Sequence, residues 1–157
     1  MNRIEGSRRV DQSPEAVFGA VRDFSGYTDY SDYLRAVTVD GDGDRGTEYV
    51  LDIRVLGLTV DVRTRLDELD PPRRIEWSVL GDVEAAGQWN VRPIEGGNGS
   101  TLELIVEYDP ESVDSSVVSL PFGLSVARLT SKAESLAERE AETVLDRLVA
   151  DVEQGMD

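Results

Sequence analysis

The chain has 157 residues, no cysteine and no histidine, and its 32 acidic and 16 basic side chains give a formal net charge of -16. This composition excludes disulfides, thiolate chemistry and histidine as a general base or metal ligand. The charge disfavours nucleic acids and anionic membranes as partners, because both are negative. The length suits one domain spanning residues 1–157, and no apolar stretch approaches the ~18 residues needed for stable membrane insertion.

The acidic residues are scattered along the chain, and Lys132 is the only lysine among the basic residues. In molar salt the Debye length falls to about 3 Å, so self-repulsion no longer destabilises a compact acidic protein. The pattern therefore favours a halophilic, haloarchaeal protein over an ordinary acidic protein with a basic partner. Residues Met1 to Gly6 lack the apolar core of a signal peptide, so we expect a cytoplasmic location.

The predicted elements begin with a strand at residues 3–10. Ser13 then stands as a helix N-cap with Pro14 at the first helical position, which predicts a short helix ending near Asp23. A second short helix is predicted from about Thr28 to Leu34. Two short helices therefore separate the first strand from the rest of the sheet.

Clusters of glycine, proline and aspartate divide the next part of the chain into segments of alternating apolar residues, which is typical of an antiparallel meander. The strands are predicted at 35–40, 46–55, 58–69, 73–80, 85–94 and 100–109. An amphipathic stretch without glycine or proline, from about Leu124 to Val152, predicts one long helix. The fold class is α+β, a curved seven-stranded antiparallel sheet wrapped on the C-terminal helix.

This order of elements resembles a known family. The residues that carry the resemblance are Val10 to Phe18 (VDQSPEAVF), followed by Val21, Asp23, Tyr27, Leu34, Val37 and Val39. They are similar to the opening of the START-related polyketide cyclase/dehydrase and lipid-transport (SRPBCC) superfamily, and the similarity to its helix-grip fold covers essentially the whole chain. The resemblance implies an internal hydrophobic cavity for a lipid, isoprenoid, quinone or polyketide-like ligand, between the sheet and the C-terminal helix.

Alternation along the strands sorts apolar residues to the inner face and nearly every charge to the outer face. Glu76 and Glu103 are outside, so the strands offer no carboxylate for proton transfer, and only a loop or helix residue such as Asp23 could supply a base. We therefore predict a neutral cavity. Its predicted lining from the strands is Tyr49, Leu51, Ile53, Val62, Thr64, Trp77, Trp89, Leu104 and Tyr108.

Two further segments contribute candidate ligand-binding residues. Tyr27, Tyr30 and Tyr33 step by three over a broad helix face, so we expect some to reach the cavity and at least one to pack conventionally. Residues 117–127 carry no charge, and Pro121 with Gly123 forbids one straight helix. We predict a kinked helix entry near the cavity mouth, with Phe122 and, further along the helix, Leu129 as lining residues.

No metal or cofactor site is predicted. Asp40, Asp42 and Asp44 alternate as in a calcium loop, but Arg45 stands where an EF-hand needs glycine and Leu51 where it needs glutamate. A hairpin turn explains these residues better.

Three functions remain open from the sequence. The first is binding or carriage of a hydrophobic small molecule, and the second is a cyclase or dehydratase using tyrosine, arginine and a carboxylate. The third is a chaperone or regulator that shields part of a partner protein. A buried carboxylate with a raised pKa would favour the enzyme. An all-neutral cavity would favour the binder, and an exposed apolar patch above ~400 Å² would favour the partner-binding protein. The absence of histidine and cysteine makes the binder the preferred interpretation, and the oligomeric state is left open.

Overall fold

The structure, a computed structural model, describes residues 2–55, 58–81, 84–97, 99–109 and 126–155, with the backbone alone for 126–137. Its helices are α1 (Pro14–Arg22), a 3₁₀ helix (Phe24–Asp29) and α2 (Val126–Gly155). Its strands are β1 (Asn2–Val10), β2 (Leu34–Asp40), β3 (Glu48–Val55), β4 (Leu58–Asp70), β5 (Arg74–Val79), β6 (Ala85–Pro93) and β7 (Ser100–Tyr108).

The seven strands form one antiparallel sheet in the order β1-β7-β6-β5-β4-β3-β2. From β2 to β7 each strand pairs with its neighbour in the chain, while β1 is added beside β7. This sheet and the long C-terminal helix confirm the predicted helix-grip fold. None of the helices within the described residues is long and apolar enough to cross a membrane.

Helix α1 begins as its capping residues predict. The Ser13 side chain accepts a hydrogen bond from the backbone N–H of Ala16 at 3.3 Å, and the proline ring of Pro14 occupies the first helical position. The amphipathic pattern turns Val17 and Phe18 inward, where both are buried. The cap and this buried face fix α1 on the sheet.

The second short helix does not lie where the sequence predicted it. The structure has a 3₁₀ helix at Phe24–Asp29 instead of a helix from Thr28 to Leu34. Phe24 and Tyr27 are one 3₁₀ turn apart, so both rings point the same way. Phe24 is buried, and its ring centroid lies 4.6 Å from that of Tyr49. Burial of these aromatic rings explains why the second helix lies earlier in the chain than predicted.

Helix α2 packs against β1, and its buried residues Leu145, Leu148 and Val152 belong to the core. At Gly6 a Cβ atom would lie 2.6 Å from Cδ1 of Leu145. Because glycine has no side chain, α2 can approach β1 closely at Gly6. Most of the predicted charge-free segment, including Phe122, lies outside the described residues, and so does the side chain of Leu129.

The outer face of the sheet carries the strand charges, as predicted. Arg63 on β4 pairs with Glu48 on β3, and Arg92 on β6 lies 3.5 Å from Glu103 on β7. The side chain of Asn90 also donates to Glu103 at 2.9 Å. Exposed pairs of this kind contribute little to stability, but they keep these carboxylates away from the inner face.

Candidate functional site

A cavity of about 430 Å³ lies between the inner face of the sheet and helix α2. Its strand lining is Ile4, Leu34, Leu51, Ile53, Trp77, Trp89, Leu104 and Val106. The segment between α1 and β2 adds Tyr27, Ser31 and Tyr33, and α2 adds Glu140, Ala141 and Val144. The volume falls within the range of small-molecule sites, and the mostly apolar lining with a few polar groups is typical of them.

Seven of the residues proposed from the sequence border this cavity: Leu51, Ile53, Trp77, Trp89, Leu104, Tyr27 and Tyr33. The five strand residues belong to four different strands, and antiparallel pairing brings them together. Ile75 on β5 pairs with Trp89 on β6, which in turn pairs with Leu104 on β7. Alternation of side chains along each strand therefore locates this part of the site.

Four other proposed strand residues do not border this cavity. Tyr49 is buried under Phe24, and Thr64, opposite it in the sheet, is buried with a hydroxyl that has no hydrogen-bond partner within the described residues. Val62 and Tyr108 are half-buried. The 3₁₀ helix covers the part of the inner face occupied by Tyr49.

Tyr30 is a structural residue rather than a lining residue. Its side chain is buried, and its hydroxyl donates to Oδ2 of Asp151 on α2 at 2.6 Å. Burial, and then the adjacent carboxylate, raise the pKa of Tyr30. This tyrosine joins the segment before β2 to the C-terminal helix and stays protonated.

Aromatic rings form one wall of the cavity. The ring of Tyr27 meets that of Trp89 edge-on at 6.3 Å between centroids, and the ring of Phe24 meets that of Trp77 at 6.4 Å. The hydroxyl of Tyr27 donates to the backbone carbonyl of Val21, and burial raises the pKa of Tyr27 well above its ordinary value. Tyr27 therefore stays protonated and offers the cavity an aromatic surface, while its hydroxyl proton is engaged by the Val21 carbonyl.

The expectation of a neutral cavity is wrong, because Glu140 of α2 borders it. The side chain as a whole is half-buried, yet both carboxylate oxygens are shut off from solvent and have no hydrogen-bond partner within the described residues. Burial, and then the negative charge of Asp32, raise the pKa of Glu140. The carboxylate comes from a helix, as the exclusion of strand carboxylates required, but it is not Asp23, which is exposed.

The surroundings of Glu140 explain why its charge is poorly compensated. The backbone N–H of Asp32 and the Ser31 hydroxyl are weak donors toward Glu140: both lower its pKa, although neither makes a hydrogen bond of normal geometry. Ser31 already accepts from the backbone N–H groups of Tyr33 and Leu34, both at 3.1 Å. Arg147 also lowers the pKa of Glu140, but this guanidinium donates to Asp32 at 2.8 Å.

A sequence signal for Glu140 existed. Residue 140 lies three positions after Ala137 and four before Val144, so it falls within the apolar stripe of the last helix. The prediction of a neutral cavity includes only the apolar members of that stripe and leaves out the acidic residue among them. An ionisable residue within an apolar helical face is the pattern that points to it.

The fold and the cavity define a START-like helix-grip protein of the SRPBCC superfamily. The chain belongs to the polyketide cyclase/dehydrase and lipid transport family, whose model matches residues 1–153. A search of the curated proteins found no match.

Solved structures support the fold at low sequence identity. The Zhui aromatase/cyclase from a Streptomyces species is 19% identical with a TM-score of 0.80, over 99% of this chain and 96% of that one. A Thermus thermophilus protein is 19% identical with a TM-score of 0.75, over 99% and 100%. A START superfamily protein from Mycobacterium smegmatis is 17% identical with a TM-score of 0.69, over 97% of each chain.

Proposed function

We propose that this protein binds or carries a hydrophobic or amphipathic small molecule, such as a lipid, an isoprenoid, a quinone or a polyketide-like compound. The observation that carries the proposal is the cavity of about 430 Å³ with a mostly apolar, aromatic-rich lining. Burying apolar ligand surface against Trp77, Trp89 and Leu104 provides the driving force. The family description, which combines cyclases with lipid transport, supports the same class of ligand.

Catalysis by a polyketide cyclase or dehydratase is the second candidate, and Glu140 favours it. A buried carboxylate with a raised pKa on the cavity is a feature expected of an acid–base enzyme. No arginine borders the cavity within the described residues, so the base would act with Tyr33 or Ser31 as donors, because the Tyr27 hydroxyl already donates to Val21. The similarity to an aromatase/cyclase is consistent with this candidate.

The partner-binding alternative gains no support from the described residues. Among them, the exposed large hydrophobic side chain is that of Val39, at 42%. One such residue does not make the apolar patch that a chaperone or regulator needs.

We retain as a separate proposal that the acidic surface adapts the protein to a cytoplasm of molar salt.

Binding of an apolar fluorescent probe tests the proposed function. Trp77→Ala and Trp89→Ala should each weaken the probe's affinity by about 1–3 kcal/mol through lost aromatic contact. Glu76→Gln and Glu103→Gln are matched controls on the outer face of the same sheet and should leave the affinity nearly unchanged. If the glutamate changes abolish binding while the tryptophan changes do nothing, the ligand does not occupy this cavity.

Native mass spectrometry of the protein purified from its own source addresses the ligand directly. A co-purifying apolar mass that is lost in Trp89→Ala would support binding in the cavity. A mass retained equally in Trp89→Ala and in wild type would place the compound elsewhere.

A further inference from the structure

The two carboxylate oxygens of Glu140 accept no hydrogen bond within the described residues, although both are shut off from solvent. A buried carboxylate is costly unless a cation or several donors compensate it. The cavity walls beside it are mostly aliphatic and aromatic, and the Ser31 hydroxyl and the backbone N–H of Asp32 interact with it only weakly. Among the described residues, the site therefore has more acceptor capacity than its weak donors satisfy.

The protein does not supply the missing cation from its own described residues. Arg147 on the same helix donates to Oδ1 of Asp32 at 2.8 Å and to the backbone carbonyl of Tyr30 at 3.2 Å. No lysine or arginine borders the cavity in the part of the chain that the structure describes. Asp32 also places a negative charge close to Glu140, but its ion pair with Arg147 offsets that charge, so the Glu140 carboxylate itself is the group that attracts a cation.

Aromatic side chains surround the same space. Trp77, Trp89, Tyr27 and Tyr33 all border the cavity that Glu140 borders. The faces of indole and phenol rings attract cations, and they do so most strongly where water is excluded. A carboxylate combined with aromatic walls is the arrangement that recognises organic ammonium groups, whereas a carboxylate or phosphate head group would be repelled.

We propose that the ligand of this cavity is an amphipathic amine, whose ammonium group pairs with Glu140 while its apolar body packs against Trp77 and Trp89. The inference rests on the proposed function and narrows its ligand class. An ammonium group has three donors and a full positive charge, so it can satisfy both oxygens and neutralise the carboxylate. An alcohol donates one hydrogen bond and leaves the charge uncompensated.

Three probes with the same apolar body and different head groups test the inference: phenylbutylamine, phenylbutanol and phenylbutyrate. Each is titrated into the full chain in molar KCl at neutral pH, and binding is followed by tryptophan emission or calorimetry. The amine should bind roughly tenfold or more tightly than the alcohol, and the carboxylate most weakly, because a charge-assisted hydrogen bond to a carboxylate that is shut off from solvent is stronger than a neutral one.

Two variants separate the cavity from the general charge of the protein. Glu140→Gln should remove the roughly tenfold preference for the amine and leave binding of the alcohol unchanged. Glu138→Gln is the matched control, because it removes the same charge from an exposed position on the same helix. It should leave the preference intact, even though the net charge of -16 attracts any cation weakly.

The outcomes are distinguishable. Equal binding of amine and alcohol to wild type overturns the amine inference and leaves the proposed function standing, and this comparison does not require Glu140→Gln to fold. If Glu138→Gln and Glu140→Gln reduce the preference for the amine equally, the amine inference is also overturned, because the general surface charge would then attract the ammonium group. If none of the three probes binds, the proposed function fails and the inference with it.

Discussion

A Cβ atom at Gly87 would lie 2.2 Å from Cζ2 of Trp77, so the indole ring packs directly on the glycine backbone. The two residues pair across β5 and β6. We predict that Gly87→Ala displaces the ring and lowers the free energy of unfolding by about 1–3 kcal/mol, as overpacking in a core does. Urea denaturation measures the loss, and a shift of tryptophan emission should accompany it.

Gly19→Ala is the matched control for this change. Gly19 lies within α1, and a Cβ atom there would meet nothing within 4 Å. The same substitution should therefore stabilise the protein by about 0.5–1 kcal/mol through helix propensity. Wild-type stability and emission in Gly87→Ala would contradict the close packing of Trp77 on the strand.

Tyr30→Phe should destabilise the fold by about 1–2 kcal/mol, because it removes the hydroxyl that donates to Asp151. The comparison needs Asp151→Ala and the double variant, since the two side chains form one contact. Chemical denaturation of all four proteins gives the coupling energy. Strictly additive losses would mean that this hydrogen bond does not stabilise the segment before β2.

The stability of the protein should depend on pH through Glu140. Burial, and then the charge of Asp32, raise its pKa above the ordinary glutamate value of 4.5, while the backbone N–H of Asp32, the Ser31 hydroxyl and Arg147 oppose the shift. The folded protein therefore holds this proton more tightly than the unfolded chain, so the favourable contribution is complete below pH 4.5 and is lost as the pH rises through the raised pKa.

Compared with Glu140→Gln, wild type should thus lose stability as the pH rises above 4.5 and through the raised pKa of Glu140. Denaturation midpoints of both proteins across this range measure the difference. A difference that does not change with pH would mean that Glu140 titrates as a solvated group.

Salt should stabilise the fold. With a net charge of -16, dilute buffer leaves the acidic surface strongly self-repelling, and molar KCl screens it. We expect circular dichroism across a KCl series to record a looser fold in dilute buffer and recovery in molar KCl. A native spectrum and an unchanged melting temperature at low salt would contradict the proposed salt adaptation.

The sequence predicted the sheet, its faces and part of the cavity because strand alternation is a local property. Trp77, Trp89 and Leu104 follow from a period of two along their own strands. Tyr49 and Thr64 follow the same rule, but the 3₁₀ helix packs over Tyr49, and the alternation of a strand carries no information about what covers it. Which part of the inner face stays open depends on packing between distant segments.

Glu140 was missed for a different reason. Its position in the apolar helical stripe is a local property, and it could have predicted a carboxylate at the cavity. The lack of well-placed donors around that carboxylate is a property of the tertiary structure. That isolation depends on Arg147 pairing with Asp32, a residue more than a hundred positions earlier in the chain. Helical periodicity locates the residue, and only the tertiary contacts give it a raised pKa.

The pairing of β1 with β7 has a consequence for the order of folding. Strands β2 to β7 each meet a neighbour in the chain, whereas Asn2 pairs with Tyr108 at the far end of the meander. On a ribosome the first strand emerges long before its partner exists, and closing so long a loop is entropically expensive. We expect the meander to form by successive hairpins and β1 to dock late, so that Gly6 meets Leu145 only after helix α2 has been synthesised.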